Sequence, residues 1–281
     1  MKNIQILVLG PGFLGQRISD FFGCPLSGER INSYGQVEML IQKYRPKVLI
    51  NAIGFVGRDN VDGCEHDIDK TLKSNALVPL LLAEAALRHG LKLVHISSGC
   101  IFHFDYKSQK AIAEDYPPDY YDLYYSRTKI YADNALLGLE KHGNILTLRV
   151  RIPLDDRPHP KNILTKLLGF QAVIDNPNSI TYVPDFLLAL KHLIRIDARG
   201  VYNVVLKGKA YYTHLLDEYQ RRKPGFSYRR MPLKDLKLTR TNLVLSARKL
   251  EKSGFKVRTP KQIYRECVQR YLDSESGRRI S

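Results

Sequence analysis

A chain of 281 residues with 44% hydrophobic side chains can bury a large core, which excludes an intrinsically disordered protein. It contains no run of roughly 20 apolar residues, no N-terminal signal sequence and no regular cysteine spacing, so we expect a cytoplasmic protein without a membrane anchor, a disulfide framework or a metal site. The net charge of +16 is concentrated in residues 207–281, but the basic pairs there lack the patterns of nucleic-acid-binding modules, which favours a solvated basic face over a nucleic-acid partner.

Strands and helices alternate along the first half of the chain. Residues 3–9 form a continuous apolar run, which is typical of a strand in a parallel sheet that is covered on both faces. Further strands are predicted at 47–52, 91–97 and 144–150, and helices at 13–22, 33–45, 67–88 and 122–140. This alternation predicts an α/β fold with a doubly wound parallel Rossmann sheet.

The alternation becomes less regular after residue 152. The segment 153–160 contains three prolines and is predicted to be a loop. Shorter elements follow, with helices at 161–169 and after Pro184 and strands at 171–174 and 200–206. We therefore predict a first domain at 1–152 with returning segments near 170–205, a smaller C-terminal annex at 153–169 and 206–273, and a flexible tail at 274–281.

The residues between the first strand and the first helix read Gly-Pro-Gly-Phe-Leu-Gly at positions 10–15. In this context Gly10 permits a tight turn, Gly12 lets the backbone approach a pyrophosphate, and Gly15 allows close packing of helix and strand. The N-terminus of the following helix would then face the phosphates. We therefore predict a dinucleotide site at Gly10, Gly12, Phe13, Leu14 and Gly15, with a purely structural turn as the alternative.

The end of the next strand indicates which dinucleotide binds. We expect this strand to end near residue 27, where NAD-binding proteins carry an acidic residue for the ribose diol. The sequence at 26–30 is Leu-Ser-Gly-Glu-Arg. Arg30 suits a 2′-phosphate, which needs cationic donors, whereas Glu29 suits a diol. We predict NADPH as the cofactor with Arg30 as a contact, and NADH as the alternative.

Tyr125 and Lys129 form a YxxxK motif within the last predicted helix of the first domain. Their spacing places the phenol and the ammonium on one face of the helix, where the positive charge favours the phenolate form. Such a tyrosine can protonate a ketone oxygen as hydride reaches the carbon. Ser97 and Ser98 end the preceding strand, and ligands of doubly wound sheets bind beyond strand ends. The pattern therefore predicts a ketone reductase site.

In order and spacing these motifs resemble the extended short-chain dehydrogenases/reductases. Within them the chain is similar to the dTDP-4-dehydrorhamnose reductase branch, and most of all to the bifunctional nucleotide-rhamnose synthases, which combine a 3,5-epimerase with a 4-keto-reductase. The matching segments are 10–15, 51–65, 97–102, 124–129, 148–153, 161–166, 175–181 and 240–242. Because they span nearly the whole chain in order, the resemblance is far more specific than any single motif.

The resemblance implies a role for individual residues of the first domain. Ser98, Tyr125 and Lys129 would form the reductase triad, and Asn75 would help to position Lys129. Cofactor contacts are implied at Asn51, Ala52, Gly54, Tyr125 and Lys129. The first domain would then bind NADP, and the annex would bind the substrate.

The epimerase chemistry of the family is implied for Cys100 and Lys166. Hydrogens next to a 4-ketone are acidic, so their removal and their return on the other face of the sugar need a base and an acid. A thiol that titrates near neutrality and an amine can fill these roles. Candidate contacts to the sugar or to its phosphates are Arg58, Asn60, Arg149 and Arg240.

The chain departs from the family at two positions. Ser98 stands where the family usually has Thr, which keeps the hydroxyl group. Gly63 stands where the family usually has Trp, and the acidic pair Asp155 and Asp156 lies in a predicted loop. These changes leave the identity of the sugar open.

We therefore expect an NADPH-dependent 3,5-epimerase/4-keto-reductase that converts a UDP- or dTDP-4-keto-6-deoxy-hexose to the L-rhamnose nucleotide. A homodimer is compatible with this function. Three alternatives stay open: a reductase alone, in which Cys100 and Lys166 are structural; a reductase or epimerase of another deoxysugar; and a non-catalytic regulatory subunit that keeps the cofactor pocket. A nucleic-acid binder is the weakest alternative.

Overall fold

The computed structural model describes residues 5–58, 60–107, 109–236 and 241–277. The chain forms two compact units. Unit 1 contains the chain up to Phe102 together with Pro117–Arg149 and Ile194–Tyr202, and unit 2 contains His103–Tyr116, Val150–Leu193 and the chain from Asn203 onward. In the part of the chain described, no helix is both long enough and apolar enough to cross a membrane.

Six strands within the described residues form the sheet that dominates unit 1. They are β1 (Ile6–Leu9), β2 (Leu26–Ser27), β3 (Val48–Asn51), β4 (Lys92–Ser98), β5 (Ile145–Val150) and β9 (Gly200–Asn203). Their order in the sheet is β2-β1-β3-β4-β5-β9, and β1 runs parallel to β2 and β3, as β3 does to β4. Strands β1, β3, β4 and β5 are buried along their whole length. The predicted parallel Rossmann sheet is therefore confirmed.

The order of the strands reverses beside β1, because β2 lies on one side of it and β3 on the other. Ligands of doubly wound sheets bind at such a switch point, beyond the carboxyl ends of the strands. The segments that leave this edge are residues 10–15, after β1, and residues 52–54, after β3. The predicted dinucleotide turn thus lies at the switch point.

The helices of unit 1 are α1 (Phe13–Phe22), α2 (Tyr34–Tyr44), α3 (Ile68–Leu72), α4 (Val78–His89) and α5 (Tyr124–Leu139). The helix predicted at 67–88 contains a π-helical turn at Lys73–Leu77 between α3 and α4, which the sequence pattern does not reveal. Gly90 ends α4 in the left-handed conformation, with φ 62°, which glycine adopts easily. Apolar faces of α2 and α4 pack with the strands in one core, which includes Leu7, Val37, Leu49, Leu82 and Leu93.

In the described part of unit 2, β7 (Ala172–Ile174) pairs with β10 (Arg229–Met231), and β6 (Pro153–Leu154) pairs with β8 (Thr181–Tyr182). The helices are α6 (Ile163–Leu167), α7 (Val183–Arg195), α8 (Tyr212–Arg222), α9 (Arg248–Lys252) and α10 (Pro260–Glu275). A separate core packs side chains of α6, α8 and α10 around Tyr182 and Leu215.

The units divide the chain at different residues from the predicted domain boundaries. Residues 103–116 lie in unit 2, because Ile112 pairs with Leu245 and its carbonyl accepts a hydrogen bond from Asn203 Nδ2 at 3.2 Å. Residues 170–193 also lie in unit 2, since β7 pairs with β10 rather than with the large sheet. The assignment of one unit to the cofactor and the other to the substrate stays a prediction.

Candidate active site

The turn after β1 has the shape that a dinucleotide phosphate group requires. Gly10 has φ 100°, and a Cβ there would lie 2.7 Å from the Ile53 nitrogen. A Cβ on Gly15 would overlap the carbonyl oxygen of Gly10. Gly12, by contrast, would meet nothing within 4 Å, and α1 begins at the next residue, Phe13. Open space therefore lies at the N-terminus of α1, where backbone N–H groups and the helix dipole favour an anion.

The end of β2 presents a cationic side chain. The strand ends at Ser27, as predicted, and Ser27 Oγ accepts a hydrogen bond from the Glu29 backbone N–H at 3.2 Å. The Glu29 carboxylate lies 3.6 Å from Lys43 Nζ on α2. Arg30 is exposed, and no carboxylate in the described part of the chain pairs with it. Arg30 is thus available to a ligand, whereas the Glu29 carboxylate has a lysine beside it.

The turn after β3 lies between the turn at residues 10–15 and helix α5. Asn51 is buried; its Oδ1 accepts from the Ile53 N–H at 3.0 Å, and its Nδ2 donates to His95 Nδ1 at 3.0 Å. Burial holds the pKa of His95 well below its usual value, so this imidazole stays neutral. A Cβ on Gly54 would lie 3.5 Å from Lys129 Nζ. Ala52 and Gly54 therefore lie between Gly10 and the Lys129 ammonium.

Lys129 is a buried cation on α5. Burial lowers its pKa to about 8, and the nearby charge of Asp133 opposes this effect. The ammonium makes no hydrogen bond with the described residues, so all of its donors stay available to a ligand. Burying an ammonium without such partners is costly. The arrangement fits a lysine that binds the hydroxyl groups of a cofactor ribose.

Asn75 fixes the backbone beside this lysine. Its Oδ1 accepts from the Phe55 N–H at 2.8 Å, and its Nδ2 donates to the Phe55 carbonyl at 2.9 Å and to Thr128 Oγ1 at 3.3 Å. The π-helical turn at Lys73–Leu77 carries Asn75, and such turns are frequent at functional sites. Asn75 therefore connects the segment after β3 with Thr128, the residue that precedes Lys129 on α5.

Ser98 and Tyr125 come from neighbouring elements that a short chain of hydrogen bonds connects. Ser98 Oγ accepts from the Cys100 N–H at 3.1 Å, and the Cys100 carbonyl accepts from Ser126 Oγ at 2.6 Å. Ser126 directly follows Tyr125 at the start of α5. Because Ser98 Oγ acts as an acceptor in this contact, its proton stays available for a substrate oxygen.

The predicted substrate contacts occupy different environments. Arg58 and Asn60 are exposed in unit 1, and Asn60 caps the short helix Val61–Glu65 by accepting from the Asp62 N–H at 2.8 Å. Arg149 is buried, and its Nε donates to Asp133 Oδ2 at 2.9 Å. A buried, ion-paired guanidinium is not placed to contact a sugar, so this structure does not favour that role for Arg149. Arg240 lies outside the described residues.

The two predicted epimerase residues lie in different units. Cys100 is half-buried after β4 in unit 1, and Lys166 is half-buried on α6 in unit 2. Burial lowers the pKa of Lys166, and the positive charge of Lys161 lowers it further. Lys166 makes no ion pair with the described residues. Its amine is therefore more easily deprotonated than that of an ordinary surface lysine.

Comparison with known proteins agrees with this geometry. Residues 18–183 match the family model described as the RmlD substrate binding domain. Over 221 residues the chain is 31% identical to the bifunctional dTDP-4-dehydrorhamnose 3,5-epimerase/dTDP-4-dehydrorhamnose reductase of Arabidopsis thaliana, which covers 75% of this chain and 72% of that relative. The chain belongs to the RmlD family. The predicted resemblance is thus confirmed, and with it the enzyme class, an oxidoreductase of the short-chain dehydrogenase/reductase type.

Solved structures share the fold of this RmlD-family chain. The L780 UDP-rhamnose synthase of Acanthamoeba polyphaga mimivirus superimposes with a TM-score of 0.86 at 22% identity, covering 94% of this chain and 99% of that one. The dTDP-4-dehydrorhamnose reductase of Bacillus anthracis, solved in complex with NADP, superimposes with a TM-score of 0.78 at 17% identity. The superposition covers 95% of this chain and 98% of that one. At these identities the likeness shows the fold. The chain also spans 27–33% of the length of three longer, trifunctional relatives from Arabidopsis thaliana.

The site of this RmlD-family chain contains two residues that sequence reasoning missed. His95 interrupts an otherwise apolar run in β4, which is a visible sign of a buried polar contact. Asp133 comes four residues after Lys129, just as Lys129 comes four residues after Tyr125. This spacing places all three residues on one buried face of α5. Both signals are present in the sequence, but only the structure identifies the partners.

Proposed function

We propose that this chain is an NADPH-dependent 3,5-epimerase/4-keto-reductase that converts a UDP- or dTDP-4-keto-6-deoxy-hexose to the L-rhamnose nucleotide. The observation that carries the proposal is the set of Ser98, Tyr125 and Lys129 in unit 1. Ser98 ends strand β4, Tyr125 and Lys129 lie on helix α5, and the open turn at Gly12 follows β1 of the same sheet as β4. The names of the relatives, which join an epimerase to a reductase, support both activities.

NADPH fits the residues at the switch point. The turn at residues 10–15 would hold the pyrophosphate, Lys129 the nicotinamide ribose, and Arg30 the 2′-phosphate. Glu29, the one acidic candidate for a ribose diol at this strand end, faces Lys43 instead. When bound, NADPH supplies the hydride that reduces the carbonyl carbon. The Bacillus anthracis reductase, which has the same fold, was solved with NADP and supports this choice.

Replacing Arg30 with Ala is expected to weaken NADPH binding by about tenfold or more and to leave NADH binding unchanged, because a charge-assisted contact to the 2′-phosphate is lost. Titration calorimetry with each cofactor measures the two affinities. Arg88→Ala is the matched control, since Arg88 is an exposed arginine that pairs with Glu84 on α4. Equal affinities of the unmutated protein for NADPH and NADH would overturn the cofactor assignment.

The reductase half needs a proton donor at the carbonyl oxygen. Tyr125 transfers its phenolic proton to that oxygen, and the Lys129 ammonium stabilises the phenolate that remains. Ser98 donates a second hydrogen bond to the same oxygen and fixes its position. Asn75 holds the backbone at Phe55 and the side chain of Thr128, which keeps Lys129 in place.

The epimerase half needs a base and an acid on opposite faces of the sugar. We infer that the neutral Lys166 amine is the base and the Cys100 thiol the acid of this chemistry, or the reverse. The lowered pKa of Lys166 supports this role, because a larger fraction of the amine is neutral near pH 7 than in an exposed lysine.

Two structural features bear on the identity of the sugar. A Cβ on Gly63, where the family usually has Trp, would lie 3.1 Å from Gly57 Cα and 3.2 Å from the Arg58 nitrogen. A larger side chain would therefore require the backbone at residues 57–58 to shift. Asp155 and Asp156 are buried within unit 2, where Asp156 lies 3.5 Å from Arg270. Gly63 rather than the acidic pair is thus the position to examine for specificity.

Incubation with UDP- and dTDP-4-keto-6-deoxyglucose in the presence of NADPH tests the function directly. We expect NADPH to be oxidised with at least one nucleotide sugar, and NMR of the product to show L-rhamnose. Reduction to another deoxysugar would support the alternative of a simple reductase. Failure to oxidise NADPH with either sugar, while NADPH still binds, would favour a regulatory subunit. A homodimer stays a prediction.

A further inference from the structure

A buried cluster of polar side chains joins helix α5 to the sheet beside the reductase residues. Asp133 Oδ1 accepts a short hydrogen bond from Ser97 Oγ on β4, and Asp133 Oδ2 accepts one from Arg149 Nε on β5 at 2.9 Å. The guanidinium carbon of Arg149 lies 5.1 Å from the ring centroid of Phe102, which follows β4. One carboxylate on α5 therefore binds two adjacent strands.

Asp133 continues the face of α5 that carries Tyr125 and Lys129. The three residues follow at intervals of four, and all are buried. Residues four apart are neighbours on a helix, so the carboxylate lies one turn from the Lys129 ammonium. On β4, Ser97 directly precedes Ser98. The contact between Ser97 and Asp133 thus sets the position of α5 relative to the strand that carries Ser98.

Stability alone does not explain a fully buried ion pair. The side chains of Arg149 and Asp133 are only 2% and 1% exposed. Removing two charges from water costs several kcal/mol for each ion, and replacing such a pair with apolar residues is often neutral or stabilising. The burial of this pair is therefore weak evidence for a purely stabilising role.

We propose that Ser97, Asp133 and Arg149 are the positioning residues of the reductase site. They hold the helix with Tyr125 and Lys129 in register with Ser98, and they place a carboxylate one turn from the Lys129 ammonium. This role rests on the proposed reductase function. Arg149 serves it from inside the fold and does not contact the substrate.

Titratable groups from several elements surround Lys129. Burial lowers the pKa of the ammonium to about 8, and three groups oppose this effect: Asp133 most strongly, then Cys64 on the Val61–Glu65 helix, then Cys100 after β4. His95 on β4 also faces this cation: burial depresses the pKa of the imidazole, the Lys129 charge lowers it further, and His95 stays neutral. Loss of the Asp133 charge should therefore make Lys129 easier to deprotonate.

Three variants test this role through the titration of Lys129 itself. Asp133→Asn removes the carboxylate and keeps its shape, Arg149→Met removes the guanidinium, and a double variant removes both. NMR of protein labelled with ¹³C at lysine Cε, without cofactor, measures the midpoint for Lys129, whose signal a Lys129→Met spectrum identifies. Glu84→Gln, at an exposed ion pair on α4, is the matched control.

We expect the midpoint to fall by about one pH unit in Asp133→Asn, because an opposite charge is lost and the Arg149 charge remains. It should fall less in the double variant, and rise in Arg149→Met, where the carboxylate is no longer neutralised. Glu84→Gln should leave it unchanged. If the Lys129 midpoints of both Asp133→Asn and the double variant equal that of the unmutated protein within error, the proposal is overturned. Residues with a purely structural role would lower the stability of the protein but would not change the midpoint of Lys129.

The double variant keeps the test valid if Asp133→Asn fails to fold, since it leaves no unpaired buried charge. The alkaline limb of kcat/KM for reduction should follow the same order as the NMR midpoints. If the midpoints shift as expected but NADPH is never oxidised, the proposed function fails while the electrostatic role of Asp133 stands. If reduction occurs but the midpoints do not move, the positioning role fails alone.

Discussion

Tyr125→Phe is expected to lower kcat for reduction by about 10²–10⁴-fold, because the phenolic proton donor is the only group removed. NADPH affinity should be unchanged, since Lys129 and the turn at residues 10–15 keep their positions. Stopped-flow measurement of NADPH oxidation with the 4-keto sugar gives the rate, and calorimetry gives the affinity. A loss confined to kcat would identify a group that acts in the chemical step.

Tyr131→Phe is the matched control for this variant. Tyr131 lies on the same helix, α5, but is about half exposed. Tyr131→Phe therefore also removes a phenolic hydroxyl, but one that lies outside the buried face of the helix. Its turnover should equal that of the unmutated protein. If Tyr125→Phe turns over at a rate close to that of Tyr131→Phe, another group supplies the proton. Ser98 would be the first residue to examine.

The sequence predicts the parts of the site that depend on local patterns. The glycines at residues 10–15 and the pair of Tyr125 and Lys129 are recognisable because a tight turn and a helical face each lie within a few residues. The parallel sheet is predictable for the same reason, since strands buried on both faces have continuous apolar runs. The structure has these elements close to their predicted positions.

The remaining parts depend on contacts between distant segments. Asn75 binds the backbone of Phe55, 20 residues away, and His95 binds Asn51, 44 residues away. The burial of Arg149 likewise depends on Asp133, on another element. An arginine near a strand end has the same appearance in the sequence whether it meets a phosphate or an internal carboxylate, and only the packing distinguishes the two.

The role of Cys100 and Lys166 should be tested where reduction cannot mask it. With the 4-keto-6-deoxy sugar nucleotide in D₂O and no NADPH, an epimerase exchanges the hydrogens at C3 and C5 with solvent, because proton removal does not need hydride. We expect exchange in the unmutated protein and its loss in Cys100→Ala and in Lys166→Ala. NMR follows the loss of each proton signal over time.

Matched controls keep this result specific. Cys24→Ala changes a half-buried thiol after α1, and Lys191→Ala changes an exposed lysine on α7; both should exchange at the rate of the unmutated protein.

The exchange rate of the unmutated protein should also rise with pH. Burial lowers the pKa of Lys166, and the neutral amine that acts as the base becomes more abundant as the pH approaches that pKa. A rate that falls with pH over this range would contradict Lys166 as the base.

The same variants separate the two activities of the site. A 4-keto-rhamnose nucleotide that is already epimerised should be reduced by Cys100→Ala and Lys166→Ala, because Ser98, Tyr125 and Lys129 are untouched. Tyr125→Phe should give the opposite result, with exchange retained and reduction lost. Independent loss of each activity follows because epimerisation and reduction use different proton donors. If the unmutated protein reduces the epimerised sugar but exchanges neither hydrogen, Cys100 and Lys166 are structural, and the chain depends on a separate epimerase for its substrate.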